Sequence, residues 1–98
     1  MNENEARKAQ QDVSRGVRAA EIIENPLVIE AFEAVEAVIT SGWQNSKADD
    51  EKARENAYLM HRLVQNFKGE FKRAIATGKA SEKRLLSTKD STLKKILP

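Results

Sequence analysis

The side chains of this sequence that could do chemistry are mainly basic, and they are concentrated toward its carboxyl end. Lysine and arginine side chains can neutralise phosphates, and those from position 68 onward are our candidate DNA-binding residues: Lys68, Lys72, Arg73, Lys79, Lys83, Arg84, Lys89, Lys94 and Lys95. Lysine does not read guanine edges in the bidentate manner of arginine, and no aromatic residue follows Phe71 to stack on bases. The pattern predicts non-specific contact with double-stranded DNA through its phosphates. The alternative is a basic terminus that is simply solvated.

Residues for other kinds of chemistry are scarce. The sequence has no cysteine and one histidine, His61, which we interpret as structural. Glu30, Glu33 and Glu36 resemble one helix of a di-metal carboxylate site, but no Glu-x-x-His motif follows to complete the ligand set. The four glycines lie too far apart for a phosphate-binding loop. We therefore expect no catalytic, cofactor-binding or metal-binding residue, and a protein that is not an enzyme.

Length and composition also limit the fold. A chain of 98 residues with 40% hydrophobic residues forms one small domain, and a chain of this length buries only about 60 to 65% of its unfolded surface. No apolar run is long enough to cross a membrane, and the first residues lack the pattern of a signal peptide. We expect a soluble protein of a reducing compartment that depends on partners for part of its stability.

The charges are unevenly distributed along the chain. Residues 1–55 contain seven Lys or Arg and twelve Asp or Glu, whereas residues 56–98 contain ten and three. The glutamates of the first half could pair along the molecule with Arg62, Lys68, Lys72 and Arg73. Alternatively, the acidic part of one copy faces the basic part of another, or the basic part faces DNA.

Apolar spacing predicts an all-α fold in which an N-terminal helix precedes a long antiparallel helical hairpin and a short C-terminal helical tail. The three segments are 1–24, 25–78 and a basic tail over 79–98. Asn25 should cap the second helix, with Pro26 at its first position, and polar residues 44–50 should form the turn of the hairpin. Gly78 should end the third helix, and a short helix over 81–86 should precede a break at 87–90.

The apolar stripes of the hairpin predict its core. Folding the chain back at residues 46–48 pairs Ile39 with Ala57, Val35 with Met60, Phe32 with Val64, and Val28 with Phe67. Trp43 should pack against Ala53 at the end of the hairpin where the turn lies. Apolar residues outside this core are our candidates for a subunit interface, and they are Val13, Val17, Leu93, Ile96 and Leu97.

Several short motifs resemble a family of helical-hairpin proteins of tailed bacteriophages. They are the run from Arg15 to Leu27, Glu30-Ala31-Phe32 with Glu36, Trp43-Gln44-Asn45-Ser46, Asp50, Arg54-Glu55, and Thr77-Gly78-Lys79-Ala80. The family's genes lie among those for virion morphogenesis. The resemblance covers about residues 15–80 and implies a structural or assembly component of the virion, but no residue-level role.

The charge and apolar patterns, together with the resemblance to this phage family, predict a multi-copy virion protein at the portal or tail connector. It would be assembled in the bacterial cytoplasm. At the connector it would contact other copies, portal or tail proteins, and packaged DNA, without any membrane. Three alternatives stay open, namely a DNA-packaging accessory similar to a small terminase, an internal or scaffolding protein that contacts only proteins, and an inhibitor of a host factor.

Overall fold

The computed structural model describes the backbone of residues 1–96 and the side chains of residues 1–88, and it is all-α. Helix α1 spans Glu3–Glu24, α2 spans Pro26–Gln44, and α3 spans Glu51–Ile96. No strand occurs within residues 1–96. The predicted fold class, with its helical hairpin, is confirmed.

Each helix begins at a side chain that caps its first free N–H groups. The Asn2 Oδ1 atom accepts a hydrogen bond from the Glu5 N–H at 2.8 Å, and Asp50 Oδ1 accepts one from the Ala53 N–H at 3.0 Å. Asn25 Oδ1 accepts from the N–H of Leu27 at 2.8 Å, with Pro26 at the first helical position as predicted. These caps separate α1 from α2 by the single residue Asn25, because a proline at position 26 disfavours helical angles in the residue before it.

The turn between α2 and α3 is held by polar contacts. The backbone N–H of Asn45 donates to the Ser41 carbonyl at 2.9 Å, and the Ser46 hydroxyl donates to the Trp43 carbonyl at 2.6 Å. The Arg54 guanidinium donates to the Lys47 carbonyl at 2.7 Å. Two carbonyl groups in the last turn of α2 thus gain donors, and the Arg54 contact joins the turn to α3, which fixes the position of the hairpin turn.

Helix α3 is longer than predicted. It continues through Gly78 and through 87–90 to Ile96, a length of 46 residues. The predicted helix end at Gly78 and the predicted break are therefore wrong, and residues 79–96 continue α3. None of the glycines in the described backbone has a positive φ, so Gly78 is not a left-handed cap. The Thr88 hydroxyl donates to the Arg84 carbonyl one turn earlier, which is compatible with an uninterrupted helix.

The helices group into two compact units. Unit 1 contains Met1–Glu21 together with the chain from Phe71 onward, and unit 2 contains Ile22–Glu70. Unit 1 therefore packs α1 against the second half of α3, and unit 2 packs α2 against the first half of α3. Both pairs are antiparallel.

Unit 2 has a small core in which few side chains are fully buried. Ile39 and Ala57 are buried, with 7% and 8% of their surface exposed, as predicted. The ring of Phe32 contacts that of Phe67, with centroids 5.9 Å apart. Val28 and Val64 are half-buried.

Other predicted core residues of unit 2 lie on its surface. Val35 is 47% exposed, Met60 50%, Phe67 57% and Trp43 55%, so the prediction that they are core residues is wrong. Two helices can share only a narrow seam, and the apolar stripe of each helix is wider than that seam. The surplus apolar residues face outward.

Unit 1 is packed through small residues. A Cβ atom added to Gly78 would lie 2.9 Å from the Asp12 carbonyl oxygen and 3.1 Å from the Gly16 Cα, so the two backbones approach without side chains between them. Ala9 and Ala19 are buried in the same unit. Ser81, only 3% exposed, donates a hydrogen bond to Asp12 Oδ2 at 2.9 Å, which satisfies a buried hydroxyl.

One ion pair crosses the seam of unit 2. The Lys68 Nζ lies 2.7 Å from Glu36 Oε1, and the same ammonium lies 5.3 Å from the centre of the Phe32 ring. The pairing of a first-half glutamate with Lys68 was one of the alternatives that the sequence left open, and the Glu36 side chain is half-buried where it makes this contact. The hydrogen bond from Lys68 lowers the pKa of the Glu36 carboxyl below its ordinary value of 4.5, against an opposing effect of burial.

We expect this pair to make stability sensitive to acid. Because the pKa of Glu36 is lower in the folded state, its contribution is present above pH 4.5 and is lost as the pH falls through the folded pKa. Glu36→Gln should lower the free energy of unfolding by less than about 1 kcal/mol at pH 7, and by progressively less in acid. Urea titrations at several pH values measure this, with Glu33→Gln as the exposed control. An equal loss at pH 7 and at pH 3 would contradict the assignment.

Candidate functional site

Unit 1 is the basic part of the molecule. Its residues, 1–21 and 71–98, include twelve Lys or Arg and six Asp or Glu, a net charge of +6. Unit 2, residues 22–70, has five Lys or Arg and nine Asp or Glu, a net charge of −4. Charge is therefore segregated by compact unit rather than by halves of the sequence.

Most of the predicted DNA-binding residues within the described part of the chain lie in unit 1. The side chains of Lys72, Arg73, Lys79, Lys83 and Arg84 are exposed on α3. Lys72, Lys79 and Lys83 recur at intervals of seven and four residues, so they share one face of that helix.

The remaining predicted basic residues are placed differently. Lys68 belongs to unit 2, and its ammonium is engaged by Glu36. The side chains of Lys89, Lys94 and Lys95 lie outside the described residues, although the backbone there is helical.

Helix α1 adds basic residues that are not among the candidates predicted from the sequence. Arg7, Lys8, Arg15 and Arg18 are exposed on α1, in the same unit as the lysines of α3. Lys8 and Arg15 are seven residues apart and so share one face of α1. The signal in the sequence is the pair Gly16 and Gly78, since small residues allow the close approach that brings α1 onto this part of α3.

Two of the predicted interface residues line a shallow groove in unit 1. Val13 is half-buried and Val17 is 54% exposed, and both border a cavity of 160 Å³. Lys79 and Glu82 from α3 also border this groove. The side chains of the other predicted interface residues, Leu93, Ile96 and Leu97, lie outside the described residues.

Unit 2 carries a broad apolar surface, which we call the apolar face. It consists of six side chains, each between 47% and 72% exposed, namely Leu27, Val35, Val38, Met60, Leu63 and Phe67. Along α2 the row at positions 27, 31, 35, 38 and 42 reads Leu, Ala, Val, Val, Gly, and along α3 the row at 56, 60, 63 and 67 reads Asn, Met, Leu, Phe. Neither row contains a charged residue.

A half-open aromatic cavity lies on unit 2 as well. It has a volume of 320 Å³ and is lined by Ile39, Thr40, Trp43, Ala57, Tyr58 and His61. Arg62 lies over the Tyr58 ring, 6.0 Å from its centre, and donates a hydrogen bond to the Tyr58 hydroxyl at 3.1 Å. At 100° per residue, Tyr58 and Met60 point to opposite sides of α3, so the cavity and the apolar face lie on opposite sides of unit 2.

The described residues offer no evident metal site, because no three His, Asp or Glu side chains are grouped to hold an ion. Within the same part of the chain, no helix has an apolar stretch long enough to cross a membrane. The surfaces that the structure does assemble are thus a basic unit, an apolar face and an aromatic cavity.

Comparison with known proteins gives no relative for this chain. No family model, curated protein or solved structure matches its sequence or fold.

Proposed function

We propose that this protein is a non-enzymatic structural subunit that works as one of several copies in a larger assembly. The observation that carries the proposal is the exposure of apolar side chains, since thirteen large hydrophobic residues between Val17 and Leu86 are 42% exposed or more. Large contiguous apolar patches are uncommon on soluble monomers and usually mark sites of association.

The setting we propose is the virion of a tailed phage, at the portal or tail connector. The support for it is the resemblance of residues 15–80 to a family of virion-morphogenesis proteins. In that setting the basic unit 1 would contact packaged DNA through phosphates, in a way independent of base sequence.

The DNA contact is tested by the dependence of binding on salt. We expect the purified protein to be retained by duplex DNA of any sequence, with affinity falling steeply as salt rises. Replacing Lys72, Lys79 and Lys83 together by glutamine should lower the magnitude of the slope of log K against log salt by roughly 2 to 3, about one per lost phosphate contact. Lys47 and Lys52, replaced by glutamine in the acidic unit 2, serve as the control and should change the slope little. Protein that shows no salt-dependent retention, free or assembled, would contradict the DNA contact.

A DNA-packaging accessory is the second candidate, and the net charge of +6 on unit 1 favours it. Such a protein should shift free duplex without prior assembly, whereas a connector subunit should bind strongly only once its copies are joined, because joining them multiplies the contacts. Mass spectrometry of purified particles separates a connector subunit, which should be present in mature virions, from a scaffolding protein or an inhibitor of a host factor, which should be absent.

A further inference from the structure

We propose that the apolar face of unit 2 packs against the same face of a second copy, so that the two α2–α3 pairs form a four-helix bundle around a two-fold axis. The inference rests on the proposed function, because it names the partner and the surface of the assembly.

The area of the face fits one partner of the same size. Its six large residues together expose roughly 700 Å², which is close to what each protein contributes to a stable two-protein interface. One face placed against one identical face therefore reaches the size of a standard interface without any additional component.

The chemistry of the face favours a second copy over an unrelated protein. Unit 2 has a net charge of −4, so two copies repel each other wherever their acidic residues meet. Between positions 27 and 42 of α2 and 56 and 67 of α3 the two rows contain no charged residue, and Glu70, two turns beyond Leu63, lies at the end of the face. The middle of this surface can therefore meet its own copy without like charges in contact. A face that complements itself is what a two-fold axis requires.

The face is also continuous with the seam inside unit 2. Phe67 is 57% exposed, yet its ring contacts that of Phe32, which is half-buried between α2 and α3. A second α2–α3 pair laid on this side would cover Phe67, Met60 and Val35 and convert the half-covered seam into an enclosed core. Two-layer packing of helix pairs is the usual way in which such a stripe becomes buried.

Sedimentation velocity over a range of concentrations tests the proposal. We expect the 98-residue chain to form dimers or multiples of dimers at micromolar concentration, and Leu63→Glu to weaken the association at least 100-fold. Leu63 is 69% exposed in the single chain, so the new charge does not disturb the fold of an isolated copy. Thr40→Glu adds the same charge at an exposed position on the cavity side of unit 2 and should change the association less than threefold.

Cross-linking provides a second measurement, which does not depend on a variant that weakens the association. The chain has no cysteine, so single-cysteine variants report contacts between copies only. Cysteines placed in turn at positions 38, 60 and 63 should give cross-linked dimers with a short bifunctional reagent, and Thr40→Cys on the cavity side should not.

The outcomes separate this inference from the proposed function. If the chain associates but Leu63→Glu and the cross-links show no preference for the apolar face, the copies join through another surface; the inference then fails and the assembly role stands. If the chain is monomeric at all concentrations, the apolar face binds a different protein or no protein. That result overturns both the pairing of the two faces and the assembly from copies of this chain.

Discussion

Gly78→Leu should unfold unit 1, whereas Gly69→Ala on the same helix should make the protein more stable. At position 78 even a methyl group would lie 2.9 Å from the Asp12 carbonyl oxygen, so a leucine must push α1 away from α3. Overpacking in a tight contact costs about 1 to 3 kcal/mol or more, and here the obstruction is backbone, which cannot change rotamer. We expect a loss of about 3 kcal/mol in the free energy of unfolding.

The glycine at position 69 is the matched control, because nothing lies within 4 Å of a Cβ atom added there. Gly69→Ala should raise the free energy of unfolding by about 0.5 to 1 kcal/mol through helix propensity alone. Urea unfolding followed by circular dichroism measures both variants, and hydrogen exchange shows whether α1 is the segment that loses protection. Normal protection of α1 in Gly78→Leu would mean that α1 does not pack at this site.

Ile39→Ala should be the most damaging truncation in unit 2. Ile39 is the largest side chain among the buried core residues, at 7% exposed, and replacing a buried isoleucine by alanine costs about 2 to 5 kcal/mol. A core this small has few other contacts to compensate, so unit 2 should lose most of its stability.

Ile29→Ala is the control, because Ile29 lies on the same helix but is 42% exposed. This substitution should lower the free energy of unfolding by about 1 kcal/mol. Trp43, the single tryptophan, lines the same cavity as Ile39, so its fluorescence reports unfolding of this unit. Equal losses for the two variants would show that the seam between α2 and α3 is not the core of unit 2.

The local features of the fold could be predicted because short-range chemistry determines them. Asn25 and Pro26 specify a helix start whatever surrounds them, and the polar run ending at Asp50 marks the turn in the same way. Ile39 and Ala57 were predictable as a buried pair because they lie at the centre of both apolar stripes.

Gly78 was misassigned because two different structures share one sequence signal. A glycine after an apolar stripe can end a helix, or it can let another helix approach closely, and only the packing partner decides between them. That partner is α1, and its contact surface consists of Ala9, Gly16 and Ala19. These residues are small and only weakly apolar, so the sequence does not mark them as a packing surface.

The candidate site was predictable in composition but not in extent. The lysines of α3 are evident as a run, whereas Arg15 and Arg18 join them only because α1 packs on that half of α3. Val35 and Met60 illustrate the opposite error. Helical spacing identifies apolar positions without saying which of them a second helix covers, so the apolar face was interpreted as interior.

The uncharged character of the apolar face has a consequence for how the protein must be handled. Apolar association weakens on cooling, because its driving force near room temperature is mainly entropic. The phosphate contacts that we propose for unit 1 should instead weaken as ions are added, whereas the proposed burial of Leu63 and its neighbours should stay intact, or become stronger when the salt is sulfate. Chilled, dilute samples should therefore separate into single chains, and a warm sulfate solution should preserve the assembled state while releasing nucleic acid.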